Sequence, residues 1–198
     1  MKLTTIKHDV LTLLDEVLNE IHFDSSVKEV GHAFADRFES TLAEKLIDKD
    51  KDKYSKPETQ KPRDPQDWFS DGVPSNCKFG YDKKGNPNLI SFNRYFNGVI
   101  NGELEDYIII SVDAKTKDVK VFRLIDWLDC VNYNTGTGQM MLKESTLNKI
   151  YNESRPKVTR YDAIKMLTNI DEKACNDHIE LKLKQHAKRK QLAKSFLK

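Results

Sequence analysis

The run Tyr107-Ile108-Ile109-Ile110-Ser111-Val112 constrains this chain more than any other segment. It is nearly unbroken apolar sequence, rich in β-branched residues, and it carries no charge. A strand that is polar on one face would alternate. This one does not, so it reads as a strand covered on both faces. A sheet with layers on each side follows, and Val119–Leu124, which alternates, reads as its neighbour. With 38% hydrophobic and 32% charged residues, apolar material is too scarce to be spread evenly. The 198 residues suit a single domain with one central sheet.

The flanking layers are helical. Ile6, Val10, Leu13, Leu14, Val17, Leu18 and Ile21 recur at helical spacing over residues 5–22, and Val27, Val30, Phe34, Phe38, Leu42 and Leu46 make a second stripe. Residues 48–66 alternate Lys and Asp and include Pro57, Pro62 and Pro65, which predicts an exposed connector or flap. Beyond it the period changes to that of strands. A strand at Asp67–Ser70, a turn at Asp71-Gly72 and a strand at Val73–Tyr81 form a hairpin. A turn at Lys83-Lys84-Gly85-Asn86-Pro87 leads to a helical face of Leu89, Phe92, Phe96, Val99 and Ile100 that ends at Gly102. Leu124–Cys130 predicts a short helix and Asn132–Gln139 a polar, glycine-rich loop, and the chain after Pro156 is helical and increasingly basic. The expected fold is α/β of the α+β kind, a central mixed β-sheet flanked by helices. Residues 1–47 supply N-terminal helices, 48–66 a connector, 67–130 the sheet core, and 131–198 a loop and basic helices.

Several classes are excluded or disfavoured. No apolar stretch approaches the roughly 18 residues of a membrane span. The N-terminal segment is broken by Lys7, His8 and Asp9, unlike a secretory signal, so a cytoplasmic location is expected. Cys77, Cys130 and Cys175 are odd in number and widely spaced, which predicts free thiols. The five histidines show no paired spacing for a metal, and Trp68 and Trp127 read as core. Net charge is only +2, yet residues 181–198 carry seven basic residues and no acid. Distribution, not total, is the informative quantity.

The hairpin gathers polar groups that a plain hairpin does not require. Strand side chains alternate, so Asn76 and Lys78 share a face and Cys77 takes the other, while Asp67 lies across the turn. An acid, an amide oxygen and an ammonium on one hairpin can surround one metal ion and one scissile phosphate. Phosphodiester cleavage needs a metal to polarise the phosphoryl oxygen and a water made nucleophilic, and hard oxygen ligands suit Mg²⁺. Asp67 and Asn76 are the candidate metal ligands. Lys78 is a point charge able to lower the pKa of the attacking water and offset charge on the phosphate. Asp71 is a further metal candidate, although Asp-Gly is also a common turn and a lone strand lysine is ordinarily solvated.

These residues resemble the PD-(D/E)xK nuclease motif, in which an Asp at a strand end is followed across a hairpin by an acid-x-Lys. Asp67 takes the Asp position and Lys78 the lysine position, while Asn76 stands where the family has Asp or Glu. The likeness extends loosely through Gly85–Leu89 and the Tyr107–Val112 strand, and is greatest to type II restriction endonucleases. It implies a restriction-endonuclease-like fold and sequence-specific, Mg²⁺-dependent hydrolysis of double-stranded DNA to 5′-phosphate ends. It also implies a homodimer, since protein symmetry mirrors site symmetry. Family members often add a glutamate from an early helix, which makes Glu39 a candidate to complete the site. Because Asn76 offers a neutral oxygen, a non-catalytic DNA-binding protein on the same scaffold is the first alternative. A protein-interaction module with a basic tail is the second.

Candidate DNA contacts lie elsewhere. Asn134, Thr135, Thr137 and Gln139 could read base edges, or belong to an ordinary surface loop, with Lys143 just beyond. Arg94 is a candidate phosphate contact or a solvated helix residue. The basic C-terminal helix either lies on a DNA backbone or packs on the body.

Overall fold

The apolar run becomes β5 (Ile108–Asp113), an interior strand of a five-stranded sheet. From Ile108 to Val112 no residue exceeds 3% exposure, so the strand is covered on both faces. It pairs in parallel with β3 (Val73–Gly80) and antiparallel with β6 (Asp118–Arg123). On the far side of β3 lie β2 (Trp68–Ser70) and β1 (Tyr54–Ser55), giving the order β1-β2-β3-β5-β6. The computed structural model describes residues 2–23, 32–58, 66–80, 88–153 and 155–196. Val27, Val30, Pro62, Pro65, Tyr81 and the Lys83–Pro87 turn lie outside the described residues.

Alternation along the strands sorts the interior into two clusters. Cys77, Phe79, Ile108, Ile110, Val112, Val119 and Val121 face α1 (Leu3–Glu20) and α2 (His32–Lys49). Those helices present Ile6, Val10, Leu14 and Val17, and Phe38, Leu42 and Leu46, as the spacing predicts. Ile109 and Phe122 face the other way. They meet α3 (Phe92–Asn101), a 3₁₀ helix (Leu124–Cys130), and a three-stranded sheet of β4 (Asn88–Ser91), β8 (Gln139–Leu142) and β7 (Val131–Asn134). After α4 (Glu144–Ile150), the start of α5 (Arg160–Phe196) closes this side with Ala163 and Leu167. The expected mixed sheet flanked by helices is therefore present. No helix among the described residues is long and apolar enough to cross a membrane.

Three local expectations need correction. Residues 48–66 are not wholly an exposed connector: α2 runs to Lys49, and Tyr54, 1% exposed, forms an edge strand against β2. Its hydroxyl donates to Asp9 Oδ2 at 2.7 Å, and the same carboxylate pairs with Lys49 at 2.9 Å and with Lys53. A single tyrosine among alternating charges has no period to betray it, and its partner lies on a distant helix. Leu89 belongs to β4, not to the following helix, because β4 pairs with β8. The helix starts at Phe92 and ends at Gly102 as predicted; there φ is +80°, and Leu104 folds back against Gly98. The Asn132–Gln139 stretch is largely a hairpin with a four-residue turn, Thr135–Gly138, where Asn134 pairs with Gln139. Stacking of Tyr133 on Phe92, with ring centres 4.2 Å apart, offsets the poor strand propensity of its asparagines.

Candidate active site

The Asp71-Gly72 turn has φ of 48° and 76° at its two central residues, the type I′ geometry that matches strand twist. Trp68 pairs with Ser75, Phe69 with Pro74 and Ser70 with Val73. Asp67, one residue before β2, then comes level with the middle of β3. Its amide donates to the Ser75 carbonyl at 2.8 Å, and its carboxylate Oδ2 accepts from the Cys77 amide at 2.6 Å. The carboxylate thus occupies the place a longer β2 would fill with a backbone carbonyl. This bond fixes Asp67 beside the β3 face that carries Asn76 and Lys78.

Those three side chains line one cavity of about 730 Å³. The opposite wall comes from the β4–α3 junction, with Ser91, Asn93 and Arg94, and from the β7–β8 turn, with Thr137, Gly138 and Gln139. A bond from the Phe92 amide to the Gly138 carbonyl, 3.0 Å, holds these two segments together. Of the sequence-derived site residues, Asp67, Asn76, Lys78, Arg94, Thr137 and Gln139 therefore converge. Lys78 lies in register with Ser111, which is 3% exposed, and Ser111 with Lys120, so a polar row crosses the sheet beside the Asn76–Ile109–Phe122 row.

Two features of this cavity are electrostatically unfinished. Asn76 is 5% exposed, yet its side-chain oxygen has no hydrogen-bond partner among the described residues. Leaving such an oxygen dry costs about 1–3 kcal/mol, which a cation or donor in the cavity would recover. Burial also pushes the Asp67 carboxyl above the ordinary carboxylate range. The Lys78 charge and the Cys77 amide oppose that rise, and Asp36 adds to it.

Asp36 and Glu39 approach from α2. With Ser40, Lys56 and Asp67 they line a smaller cavity of about 210 Å³. Glu39 thus shares Asp67 with the larger cavity but does not line it beside Asn76 and Lys78. Asp36 escaped the sequence reading, although its i,i+3 spacing from Glu39 places both on one helix face. Ser91 escaped too, because the β4–β8 pairing that brings it in is long-range.

Other candidates are placed elsewhere. Asp71 is exposed at the far end of β2, where its amide donates to the Lys53 carbonyl at 2.7 Å. Asn134, Thr135 and Lys143 line a separate groove of about 720 Å³ between the β7–β8 hairpin and α5. There the Asn134 side chain accepts from the Gly136 amide at 3.0 Å, and Thr135 Oγ1 meets His178 Nδ1 at 3.1 Å. No protein-family model and no curated protein matches this chain.

The donor set can be tested for a metal directly. Among the described residues no three His, Cys, Asp or Glu side chains form a group able to hold an ion. An all-protein cage is thus absent from them. Mg²⁺ does not need one, since it keeps several waters and is held by one or two carboxylates plus substrate phosphates. One half-buried carboxylate and one asparagine with an unpartnered oxygen, both residues lining the same cavity, fit that pattern.

Proposed function

We propose that the protein is a Mg²⁺-dependent endonuclease of the restriction type, acting on specific sites in double-stranded DNA. The observation that carries this reading is the convergence of Asp67, Asn76 and Lys78 in one cavity, with the Asn76 oxygen buried and unsatisfied. Asp67 and Asn76 would hold the ion. When bound, it supplies Lewis acidity at the phosphoryl oxygen and a more acidic water.

The chain's own groups account for the rest. The Cys77 amide keeps the Asp67 carboxylate in one orientation. Lys78 places positive charge on the same wall, where it stabilises an attacking hydroxide and the charge that builds on the phosphate oxygens. Arg94 contributes a planar cation suited to a neighbouring phosphate, and Gln139 an amide able to pair with adenine. Hydrolysis that breaks the phosphorus–O3′ bond leaves the phosphate on the 5′ end and a hydroxyl on the 3′ end. A palindromic site would be served by a two-fold homodimer, and each protomer would cut one strand.

The test is digestion of mixed-sequence plasmid with Mg²⁺. Discrete fragments are expected from the parent and none from Lys78→Ala. No fragments at all, or undiminished cutting by the variant, overturns the assignment. A second reading, a DNA-binding protein without catalysis, is favoured by the amide at position 76. It predicts salt-sensitive duplex binding with no metal-dependent cleavage.

A further inference from the structure

α5 changes character along its length. Its start is packed: Ala163 and Leu167 belong to the core, and Ile170 and Ala174 line the groove beside β7. The last half-buried position is His178, and every residue from Ile179 to Ala193 is exposed. Leu181 still lines that groove, and at about 1.5 Å per residue Lys182–Phe196 extends roughly 22 Å past it.

Charge divides at the same place. Residues 181–198 hold seven of the chain's 33 basic residues and none of its 31 acidic ones. Residues 1–180 are left with 26 basic against 31 acidic residues, a net of −5. The arm is therefore strongly positive on a negative body. Its apolar residues do not form the single stripe that a protein-bound helix presents. At about 100° per residue, Ile179 and Leu183 fall on one side while Leu181 and Leu192 fall roughly opposite. Lysines and Arg189 are distributed around the whole circumference.

The point of departure decides the partner. His178 contacts Thr135, at the start of the β7–β8 turn. Two residues later Thr137 lines the cavity that holds Asp67, Asn76 and Lys78. One four-residue turn thus has the arm's root at one end and the candidate active site at the other.

We infer that the projecting part of α5, from Lys182 to Phe196, is a clamp for duplex DNA that grips backbone phosphates flanking the cut site. The inference rests on the nuclease reading and extends it to a second contact surface. Phosphates are the fitting ligand because they offer negative charge without requiring an apolar face, and a net-negative body needs a local source of attraction for a polyanion. An arm of this length covers about seven base pairs at roughly 3.4 Å each.

The experiment measures binding, not cleavage. The full chain without divalent metal is titrated into a fluorescent mixed-sequence duplex of about 30 base pairs, at several salt concentrations. The parent is compared with the triple variant Lys188→Gln/Arg189→Gln/Lys190→Gln, whose substitutions lie on exposed helix and should leave the far-UV circular dichroism unchanged. A clamp predicts that log K against log salt becomes shallower by about 2–3 and that affinity near 0.1 M salt falls at least about tenfold. Equal slopes and affinities overturn the clamp and leave the nuclease reading standing. A parent that binds no duplex at low salt overturns the nuclease reading itself. If the variant binds DNA like the parent but sediments as a smaller species, the arm docks on the acidic body of a second copy, and the clamp is wrong.

Discussion

Replacing Asp9 with Asn tests the link between α1 and the segment that the sequence hides. Asp9 is 8% exposed. Burial alone would raise its pKa, but bonds from Lys53, Lys49 and Tyr54 outweigh that and bring it from 3.8 to about 2. That lowering corresponds to roughly 2 kcal/mol of folded-state preference for the charged form. Because the folded pKa is depressed, this stability is fully present above about pH 4 and is lost as pH falls towards 2. At pH 7 Asp9→Asn should lose about 2 kcal/mol, or more where Lys53 is left half-buried without its carboxylate. For a chain of this size the melting temperature should fall by about 4–8 °C. Paired thermal melts from pH 7 to pH 2 provide the assay, and the gap between parent and variant should narrow below pH 4. Equal melting temperatures at pH 7, or a gap that stays constant down to pH 2, would refute the argument.

Three further outcomes follow from the packing and the candidate site. A Cβ at Gly98 would lie 2.5 Å from Leu104 Cδ1 and 3.0 Å from its Cβ, so Gly98→Ala should cost about 1–3 kcal/mol in urea unfolding, and Leu104→Ala in the same chain should relieve the clash. Asp67→Asn keeps an oxygen for the Cys77 amide, so plasmid cleavage should disappear while the melting temperature changes by no more than about 2 °C. Asn76→Asp places a second carboxylate in the cavity; half-maximal cleavage should need several-fold less Mg²⁺, and metal-free protein should melt at a lower temperature than the parent.

Whatever repeats locally was legible in the sequence. The stripes of α1 and α2, the uncharged run of β5, the alternation of β6 and the Asp-Gly turn each announce their structure within a few residues. The hairpin face that carries Asn76 and Lys78 follows from alternation alone. What stayed hidden depends on pairing at a distance. Tyr54 is buried because Asp9 waits 45 residues away, and Leu89 becomes a strand residue only because β8 arrives some 50 residues later. The same holds within the site. Thr137 and Gln139 were candidates on composition, and their approach to Asp67 comes from β4 bridging the α3 start to β8. Asn134 and Thr135 had the same composition but sit at the β7 end of the turn, facing α5.

The amide at position 76 has an electrostatic rationale that joins the two proposals. Asp67 is already held above the ordinary carboxylate range by burial, and Asp36 adds negative charge from α2. A second carboxylate at position 76, 5% exposed on the adjacent strand, would place like charges together in one cavity with Lys78 as the nearby cation. One of the two would then take up a proton when no metal is bound. The amide avoids that cost and keeps a hard oxygen, but it gives up one unit of attraction for the ion. On the proposed function, the metal then binds firmly only when substrate phosphate supplies the missing negative ligand. Affinity for DNA must come from outside the cavity, because the pocket cannot recruit substrate through a tightly preloaded cation. A basic arm rooted at the other end of the β7–β8 turn would supply the attraction, so weakening the arm should raise the Mg²⁺ requirement for cleavage even though no arm residue lines the cavity.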